Sequence, residues 1–486
     1  MLAARYDAIV LGVGGMGSST LYQLARRGHR VLGLERYDVP HAMGSSHGQT
    51  RIIRLAYYED PSYVMLLQRS YELWRQIEGR AGERLLHITG SIDAGPPDSW
   101  VFKGSLRSCL EHDLPHEVLT SKELTRRYPG YRLPRETLAV LQPQGGFLLP
   151  ERCVVAYVNA ALAEGAEVHG RERVLEWHPA GDGVRVITDR AVYEADRLVV
   201  TAGAWSAELL PFLDGLAVPE RQVLAWLQPQ RPELFTPDRL PVFNLLVDEG
   251  RFYGFPVHGI PGFKFGKYHH FQEAGDPDLL ELEPRPDDEQ ILREFAARYF
   301  PDGAGPTMSL VGCMFTNSPD NHFIIDTHPD HPQVSFASPC SGHGFKFASV
   351  IGEVMADLAE RGATRHNIEL FRLDRLVGGA RSVPDRLAGR ARSAPDRLAG
   401  QIRSAPDRLA GGARSAPDRL AGRARSAPDR ARLGAAARGL RAHGPSADGP
   451  GPDQAAERRP DRRGRGADER AGAISEWGAG AIQTFW

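Results

Sequence analysis

Apolar and polar positions near the N-terminus follow a regular order. Residues 8–11 form a short apolar run, the pattern of a strand that is buried on both faces. Residues 21–25 repeat apolar side chains at helical spacing, and Gly28 follows as a favourable helix stop. A second apolar run occupies residues 31–34. The pattern therefore predicts a strand, a helix and a second strand, the start of a parallel sheet.

The turn between the first strand and the helix reads Gly-Val-Gly-Gly-Met-Gly, a G-x-G-x-x-G motif that includes Gly15. Gly12 permits the tight turn, Gly14 lets the backbone approach a pyrophosphate, and Gly17 lets the helix pack closely on the strand. Glu35 ends the second strand, where a carboxylate can bind two ribose hydroxyls and would repel a 2′-phosphate. The unit predicts a bound dinucleotide and leaves NAD and FAD open.

The body of the chain returns to alternating strands and helices further on. Residues 198–200 form another apolar run that leads into a turn of small residues at Gly203, where a chain can pass close to a flat ligand. Residues 86–149 and 216–304 are richer in proline, aromatic residues and alternating patterns. These regions predict a substrate domain woven into a cofactor domain, with a cleft between them. The predicted cofactor domain comprises residues 1–85, 150–215 and 305–376.

Composition and cysteine usage narrow the function classes. The chain has 486 residues, of which 42% are hydrophobic and 25% charged, as in ordinary globular proteins. The N-terminus lacks a secretory signal pattern and no stretch has the length of a membrane span, so we expect a cytoplasmic protein without membrane contact. The four cysteines are too scattered for a disulfide framework or a metal site, and no metal is predicted. They are Cys109, Cys153, Cys313 and Cys340.

The last part of the sequence has a different character. From about residue 381 an eleven-residue repeat places a proline at the same position of each copy, at Pro384, Pro395, Pro406, Pro417 and Pro428. Each copy has about one leucine and combines proline with glycine, which favours disorder over a continuous helix. Residues 377–486 contain 21 Arg and 12 acidic residues, whereas the rest of the chain is acidic. We expect a disordered tail and no nucleic-acid partner.

Five further blocks carry a resemblance to a known family. They are PHAMGSSHGQTRIIR at residues 40–54, FYGFP at 252–256, FKFG at 263–266 with His269 and His270, CMFT at 313–316 continuing through Asp320 to Asp326, and SGHGFKF at 341–347. Over most of residues 5–375 the chain resembles the monomeric sarcosine oxidase and N-methyltryptophan oxidase family. This resemblance implies FAD, and an α/β FAD-binding Rossmann-like domain of the glutathione-reductase type. It also implies an interleaved α+β substrate domain on a mixed or antiparallel sheet.

The resemblance assigns cofactor contacts to several residues. Cys313 matches the cysteine that forms a thioether to the flavin 8α-methyl carbon, and Cys340 is its nearest competitor. Arg51 matches an arginine beside the flavin ring. The remaining cofactor contacts implied by the matching blocks are Ser45, His47, Thr50, Gly203, Gly342, Gly344, Phe345 and Lys346.

Substrate and dioxygen roles follow from the same resemblance. Arg54 and Lys346 match the pair that binds the substrate carboxylate. Arg51 and Arg54 are three residues apart, a spacing that on a helical turn puts both cations on one side. Lys264 matches the lysine near flavin N5 that activates dioxygen, although a lysine between two phenylalanines on a strand also fits a solvated face.

The amine site is expected at Tyr253 and at one of two histidines. Tyr253 matches the tyrosine near the bound amine. His269 is favoured over His270 as the active-site histidine by counting back from Asp276.

Three departures from the family pattern bear on the substrate. Ser46 stands where histidine is frequent, Gln49 where aspartate is frequent, and Phe315 where sarcosine oxidase has an active-site tyrosine. Loss of that hydroxyl makes the pocket more apolar. We hypothesise a larger secondary amine than sarcosine, such as an N-methylated or cyclic amino acid.

The sequence thus predicts a monomeric flavoprotein oxidase whose small-molecule substrate is an amino acid with a secondary amine. Hydride transfer to flavin N5 would be followed by reoxidation with O2, which yields H2O2. Two alternatives stay open at this stage: a dehydrogenase that uses another electron acceptor, and an inactive FAD-binding scaffold.

Overall fold

The computed structural model describes residues 4–338 and 341–377. Residues 378–486 of the predicted disordered tail, and Cys340, lie outside these residues. None of the helices in the described part combines the length and the apolar character needed to cross a membrane.

The described residues form nineteen strands and nine α-helices. The strands are β1 (Ala4–Leu11), β2 (Val31–Leu34), β3 (Arg51–Ile53), β4 (Leu86–Ile88), β5 (Ser91–Gly95), β6 (Glu117–Thr120), β7 (Leu138–Gln142), β8 (Gly146–Leu148), β9 (Glu167–His169), β10 (Val174–Ala180), β11 (Gly183–Thr188), β12 (Val192–Val200), β13 (Val218–Leu227), β14 (Val242–Val247), β15 (Gly250–Phe255), β16 (Phe263–Lys267), β17 (Thr307–Asn317), β18 (Ile325–Thr327) and β19 (Val334–Ala337). The helices are α1 (Gly15–Ala25), α2 (Tyr63–Ala81), α3 (Trp100–Glu111), α4 (Ser121–Arg127), α5 (Pro150–Ala163), α6 (Ser206–Leu209), α7 (Pro286–Tyr299), α8 (Ala348–Arg361) and α9 (Asp374–Val377).

The first sheet is built around the predicted N-terminal unit. β1 pairs in parallel with β2 on one side and with β12 on the other, and the sheet order is β10-β11-β12-β1-β2-β9. β19 pairs in parallel with β12, and β18 pairs antiparallel with β19. Helices α1, α5 and α8 pack against these strands. The helices bury their own apolar faces there, and they shield the apolar faces of the parallel strands from water. The predicted strand, helix and strand of the N-terminus occur in this order.

The second sheet is mixed and mainly antiparallel. Its order is β17-β13-β16-β15-β14-β5-β7-β6. Among the described strands of this second sheet, only β14 and β5 pair in parallel. A small third sheet has the strand order β3-β8-β4. In the sequence, these strands lie between strands of the first sheet and strands of the second. β17 extends the second sheet, so the predicted cofactor segment 305–376 includes one strand of that sheet. The domain boundaries themselves stay a prediction.

The two faces of β15 have different surroundings. Phe252 stacks on Phe295 of α7 with 3.8 Å between ring centroids, within the core of the second sheet. Alternate side chains of a strand point to opposite faces, so Arg251, Tyr253 and Phe255 share the other face. That face turns toward the candidate site.

Candidate active site

The glycine turn between β1 and α1 is shaped by two close approaches. Gly12 has φ of +84°, and a Cβ atom there would lie 2.7 Å from the carbonyl oxygen of Thr201. A Cβ atom on Gly17 would lie 1.8 Å from the carbonyl oxygen of Gly12, so only glycine lets α1 begin this close to β1. Gly14 instead faces open space, with Ser46 Oγ 3.7 Å from its would-be Cβ. The turn therefore leaves room for a ligand at the N-terminus of α1.

Glu35, directly after β2, is fixed by the backbone around it. Its Oε2 accepts a hydrogen bond from the Val13 amide at 2.9 Å, and its Oε1 accepts one from the Tyr37 amide at 3.0 Å. The side chain is only 6% exposed. Each carboxylate oxygen has a second acceptor position, so Glu35 can also bind hydroxyl groups.

A long cleft runs from the glycine turn to the second sheet. Glu35 lies near one end, Tyr253 and Phe255 of β15 line the far end, and Phe315 of β17 stands beside them. Twelve predicted site residues line this long cleft, namely Gly12, Gly14, Gly15, Glu35, Ser45, Arg51, Gly203, Tyr253, Gly342, Gly344, Phe345 and Lys346. The other predicted residues lie outside its lining: Gly17, His47, Thr50, Arg54, Lys264, His269 and Cys313.

Lys264 lies just behind the wall of the far end. Its Nζ donates hydrogen bonds to the carbonyl oxygens of Gly48 at 2.6 Å and Thr50 at 2.8 Å, and to Thr50 Oγ1 at 2.9 Å. The Nζ is 4.3 Å from the ring centroid of Phe255, which lines the cleft. Burial and the nearby Arg51 lower the pKa of Lys264 well below its usual range. Three acceptors nevertheless match the three N–H groups that only the ammonium form has.

Arg51 connects the cleft to the predicted flavin-linking cysteine. Its Nη2 donates to the carbonyl oxygen of Ser45 at 2.8 Å and lies 3.7 Å from Cys313 Sγ. Cys313 lies on β17 and is 3% exposed. Ser45 Oγ in turn donates to the Met314 carbonyl oxygen at 2.6 Å, which ties the residue 45 loop to β17. The sulfur is thus one side chain away from the cleft.

Two expectations about these cations are wrong. Arg51 begins strand β3 rather than a helical turn, and Arg54 follows that strand. Extended residues three apart point to opposite sides, so only Arg51 reaches the cleft. The alternative of a solvated Lys264 also fails, because the residue is 2% exposed.

Arg54 belongs to a buried ionic network. Its Nη2 donates to Glu59 Oε2 at 2.8 Å, its Nε is 3.7 Å from Asp93 Oδ1, and its guanidinium carbon is 3.9 Å from the Tyr58 ring centroid. Burial raises the pKa of Glu59, but the positive groups around it, first among them Arg54, together outweigh burial and lower that pKa to about 2. Arg54 is therefore already neutralised by carboxylates.

Lys346 is the cation of this network that faces the cleft. Its Nζ donates to the carbonyl oxygen of His343 at 2.7 Å and lies 5.4 Å from the Tyr57 ring centroid. The Arg54 guanidinium carbon is 4.4 Å from the same ring. Burial, and then repulsion from Arg54, lower the pKa of Lys346 to about 7. An anion bound beside Lys346 would restore its charge.

The two candidate histidines do not line the long cleft. His269 has φ of +52° and places its Nδ1 3.1 Å from Glu220 Oε2. His270 is buried, with Nε2 2.9 Å from Asp288 Oδ1. A second, outer cavity contains both histidines in its wall, together with Glu59, Trp100, Arg251, Tyr268 and His343. Tyr268 and His343 line both cavities, so the outer cavity adjoins the long cleft there.

Sequence reasoning missed several residues of the site. Phe255 and Arg251 alternate with Tyr253 on β15, and this period of two could have located both. Tyr268 lies in the turn directly after β16, where strand alternation does not apply. Glu151, at the start of α5, accepts a hydrogen bond from the Gly48 amide at 2.6 Å. This bond fixes the loop at residues 48–50, whose carbonyl oxygens bind Lys264. No local pattern indicates that contact, because it joins segments about a hundred residues apart.

The fold and the site define a class of protein. A parallel sheet opens on a glycine turn and an acid, and its long cleft continues to a second, mainly antiparallel sheet with two buried lysines. This is the architecture of an enzyme that binds a dinucleotide cofactor.

Comparisons with known proteins agree with this class. Residues 7–358 match the family described as FAD dependent oxidoreductase, and the chain belongs to this family. It is 41% identical over 381 residues to monomeric sarcosine oxidase of Streptomyces avermitilis, covering 77% of this chain and 99% of that protein. It is 35% identical over 373 residues to N-methyl-L-tryptophan oxidase of Yersinia pestis, covering 76% of this chain and 99% of that protein.

A solved structure shows the same likeness. NikD, an unusual amino acid oxidase essential for nikkomycin biosynthesis, superposes with a TM-score of 0.67 at 27% identity, covering 76% of this chain and 97% of that chain. The predicted family, the FAD-dependent amine oxidase activity and the Rossmann-type fold with mixed sheets are confirmed.

Substitution of Gly17 by alanine is expected to abolish flavin binding. The new Cβ would meet the Gly12 carbonyl oxygen at 1.8 Å, which forces α1 away from β1 and deforms the dinucleotide turn. The purified variant should lack the flavin absorbance, while Gly79→Ala, on a glycine of α2 with no atom near its would-be Cβ and no positive φ, keeps it. A Gly17→Ala protein with full flavin content would contradict this role of the turn.

Proposed function

We propose that the protein is an FAD-dependent oxidase of amino acids that carry a secondary amine, with O2 as electron acceptor and H2O2 as product. One observation carries the proposal: the long cleft joins a dinucleotide turn to a far end that presents Lys346, with Lys264 directly behind Phe255. A buried cation in the cleft wall and a second one behind Phe255 support binding of a carboxylate and reduction of O2 at this end of the cleft.

The residues present fit FAD on structural grounds. Gly14 leaves open space at the N-terminus of α1, and no acid stands in the first turn of that helix to oppose a pyrophosphate. Glu35 presents free acceptor positions for a ribose. FAD, when bound, supplies the acceptor for a hydride equivalent from the substrate and the site at which O2 is reduced.

The protein's own residues bind and orient the substrate in this proposal. Lys346 binds the substrate carboxylate from the cleft wall, and Arg54 supports it through the shared Tyr57 ring rather than through direct contact. Tyr253 and Phe255 confine the amine end. Binding the amine in its unprotonated form suffices for oxidation, because a protonated amine has no lone pair to donate.

The far end of the cleft supports a substrate larger than sarcosine. Phe315, Tyr268 and Tyr253 form an aromatic wall, with 5.8 Å between the ring centroids of Phe315 and Tyr268. Phe315 has no hydroxyl to donate to a small polar ligand. A bulkier N-methylated or cyclic amino acid buries more of its surface against these rings.

Steady-state kinetics with sarcosine, N-methyltryptophan, pipecolate and proline tests the proposal. We expect one H2O2 for each amine oxidised, and a higher kcat/KM for a larger amine than for sarcosine. Turnover only with an artificial acceptor would indicate a dehydrogenase. No turnover with either acceptor would indicate an inactive scaffold, and clear preference for sarcosine would reject the larger substrate.

The Cys313→Ala variant tests the proposed thioether to the flavin. Acid precipitation should leave flavin with the wild-type protein, because a covalent link survives unfolding, and release it from the variant. Cys153→Ala, at another buried cysteine, serves as the matched control and should retain its flavin. Free flavin in the wild-type supernatant would contradict the bond.

Finer features of the proposal stay predictions. They are the interleaved domain boundaries, the glutathione-reductase-type form of the cofactor domain, the monomeric state and the cytoplasmic location. Gel filtration of the holoprotein measures the oligomeric state directly.

A further inference from the structure

Strand β15 leads from the far end of the long cleft into the outer cavity. Arg251, Tyr253 and Phe255 occupy alternate positions and share one face. Tyr253 and Phe255 line the long cleft, whereas Arg251 lines the outer cavity. The strand thus places a guanidinium next to the candidate substrate site.

Arg251 is held by aromatic stacking rather than by hydrogen bonds. Its guanidinium carbon is 3.6 Å from the Tyr268 ring centroid and 5.0 Å from that of Trp100. The side chain is only 12% exposed, and its closest carboxylate oxygen, Glu59 Oε1, is 4.0 Å away. Arg251 makes no side-chain hydrogen bond to other described residues. Stacking fixes the plane of a guanidinium and leaves its N–H edge available to a planar anion.

The acids around the outer cavity form no hydrogen bond to Arg251. Glu59 accepts a hydrogen bond from Arg54 through Oε2 at 2.8 Å, and its Oε1 lies 4.0 Å from Arg251. Glu249 accepts hydrogen bonds from Arg298 and, at 2.7 Å, from the Tyr299 hydroxyl. Asp248, the remaining acid of the lining, is exposed to solvent, which screens its charge. A second anion in this cavity would therefore meet a buried cation whose N–H groups have no hydrogen-bonded carboxylate among the described residues.

The distance from Arg251 to the substrate site is short. The Tyr268 ring lines both cavities, and its centroid is 3.6 Å from the Arg251 guanidinium carbon and 4.8 Å from the Tyr253 ring centroid. The sum of these two distances is the greatest separation that Arg251 and the Tyr253 ring can have. A side chain of two or three carbons on a bound amino acid spans such a gap.

We propose that Arg251 is a specificity-determining residue that binds a second carboxylate, carried by the side chain of the substrate. The preferred substrates are then N-alkylated amino acids with an acidic side chain. This inference rests on the proposed function. Lys346 binds the carboxylate next to the amine, and Arg251 binds the distal one.

Two substrates of equal shape test the inference: N-methylglutamate and N-methylglutamine. The wild-type holoenzyme should show a kcat/KM at least about tenfold higher for the acid, the size expected of one charge-assisted hydrogen-bonded pair. Arg251→Gln should bring this ratio close to unity and change kcat/KM for sarcosine by less than about threefold. Arg251→Lys should restore part of the preference, and Arg107→Gln on the exposed face of α3 should leave it unchanged.

Ligand binding gives a second measurement that needs no turnover. Glutarate and pentanoate have the same chain length but two carboxylates and one, and both should perturb the flavin absorbance when they bind. We expect glutarate to bind wild-type protein at least about tenfold more tightly than pentanoate, with this difference lost in Arg251→Gln. If the variant fails to fold, the wild-type preference for N-methylglutamate over N-methylglutamine and for glutarate over pentanoate still tests whether a second carboxylate is bound.

The outcomes separate the two proposals. Oxidation of N-methylglutamine at least as efficient as that of N-methylglutamate, or equal binding of glutarate and pentanoate, would overturn the role of Arg251 alone. Failure of the holoenzyme to oxidise any secondary amine would instead overturn the proposed function. A loss in Arg251→Gln that is equal for sarcosine, N-methylglutamine and N-methylglutamate would show a structural role and reject the inference.

Discussion

Replacement of Lys264 by methionine will slow the reaction of the reduced enzyme with O2 by about 10²–10³-fold, the loss typical of one preorganised electrostatic group. All three N–H groups of the Lys264 ammonium donate hydrogen bonds to Gly48 and Thr50. Lys264 therefore acts on O2 through its charge and not by donating a hydrogen bond to it. A fixed positive charge stabilises the negative charge that develops as O2 accepts an electron. Stopped-flow mixing of the reduced enzyme with oxygenated buffer measures this rate.

The same experiment has an internal control. Anaerobic reduction by substrate should continue at nearly the wild-type rate in Lys264→Met, because Lys264 does not line the cleft. Lys267→Met, on the opposite face of the same strand, should keep wild-type reactivity with O2. Equal slowing of both half-reactions would show that Lys264 only supports the fold.

The pKa of Lys264 adds a pH dependence with a defined sign. Burial and Arg51 lower this pKa, so the ammonium loses its proton at a pH below the usual lysine value of 10.5. Reoxidation should therefore decline as pH rises, and begin to decline before pH 10.5. Lys264→Met should lack this decline.

The sequence predicts the N-terminal unit well because its determinants are local. β1, the glycine turn and β2 lie within residues 4–34, and each apolar run and each glycine has its structural reason inside that segment. The same holds for the placement of Lys264 opposite Phe263 and Phe265, since alternation along β16 decides it.

Other parts of the site depend on contacts that no local pattern contains. Lys264 is solvent-exposed or buried according to what covers its face of the sheet, and its cover is the loop at residues 48–50, more than two hundred positions away. The spacing of Arg51 and Arg54 suggested a shared side only under an assumed helix, and β3 is a strand. His269 and His270 differ by one position, so a small shift in the turn after β16 decides which contacts Glu220 and which contacts Asp288.

Replacement of Lys346 by methionine will weaken carboxylate binding by about 10–100-fold at pH 6 and remove its pH dependence. The pKa of Lys346 is about 7, so the ammonium form predominates at pH 6 and is lost as pH rises. The wild-type dissociation constant for pentanoate should therefore rise about tenfold per pH unit above 7. Removing one charged hydrogen-bonding partner accounts for the loss at pH 6.

Neighbouring groups cannot produce this pH dependence. Burial lowers the pKa of His343 to about 3. The positive groups around Glu59 together outweigh burial and lower its pKa to about 2, so neither residue changes its charge between pH 6 and 9. Titration of the flavin absorbance with pentanoate at several pH values measures this pH dependence. Lys103→Met, at an exposed position of α3, serves as the control. A wild-type dissociation constant that is flat from pH 6 to 9, or a slope that persists in Lys346→Met, would assign the carboxylate site to another cation. Arg251 would then be the next candidate, because it faces the adjoining outer cavity and stays charged throughout this range.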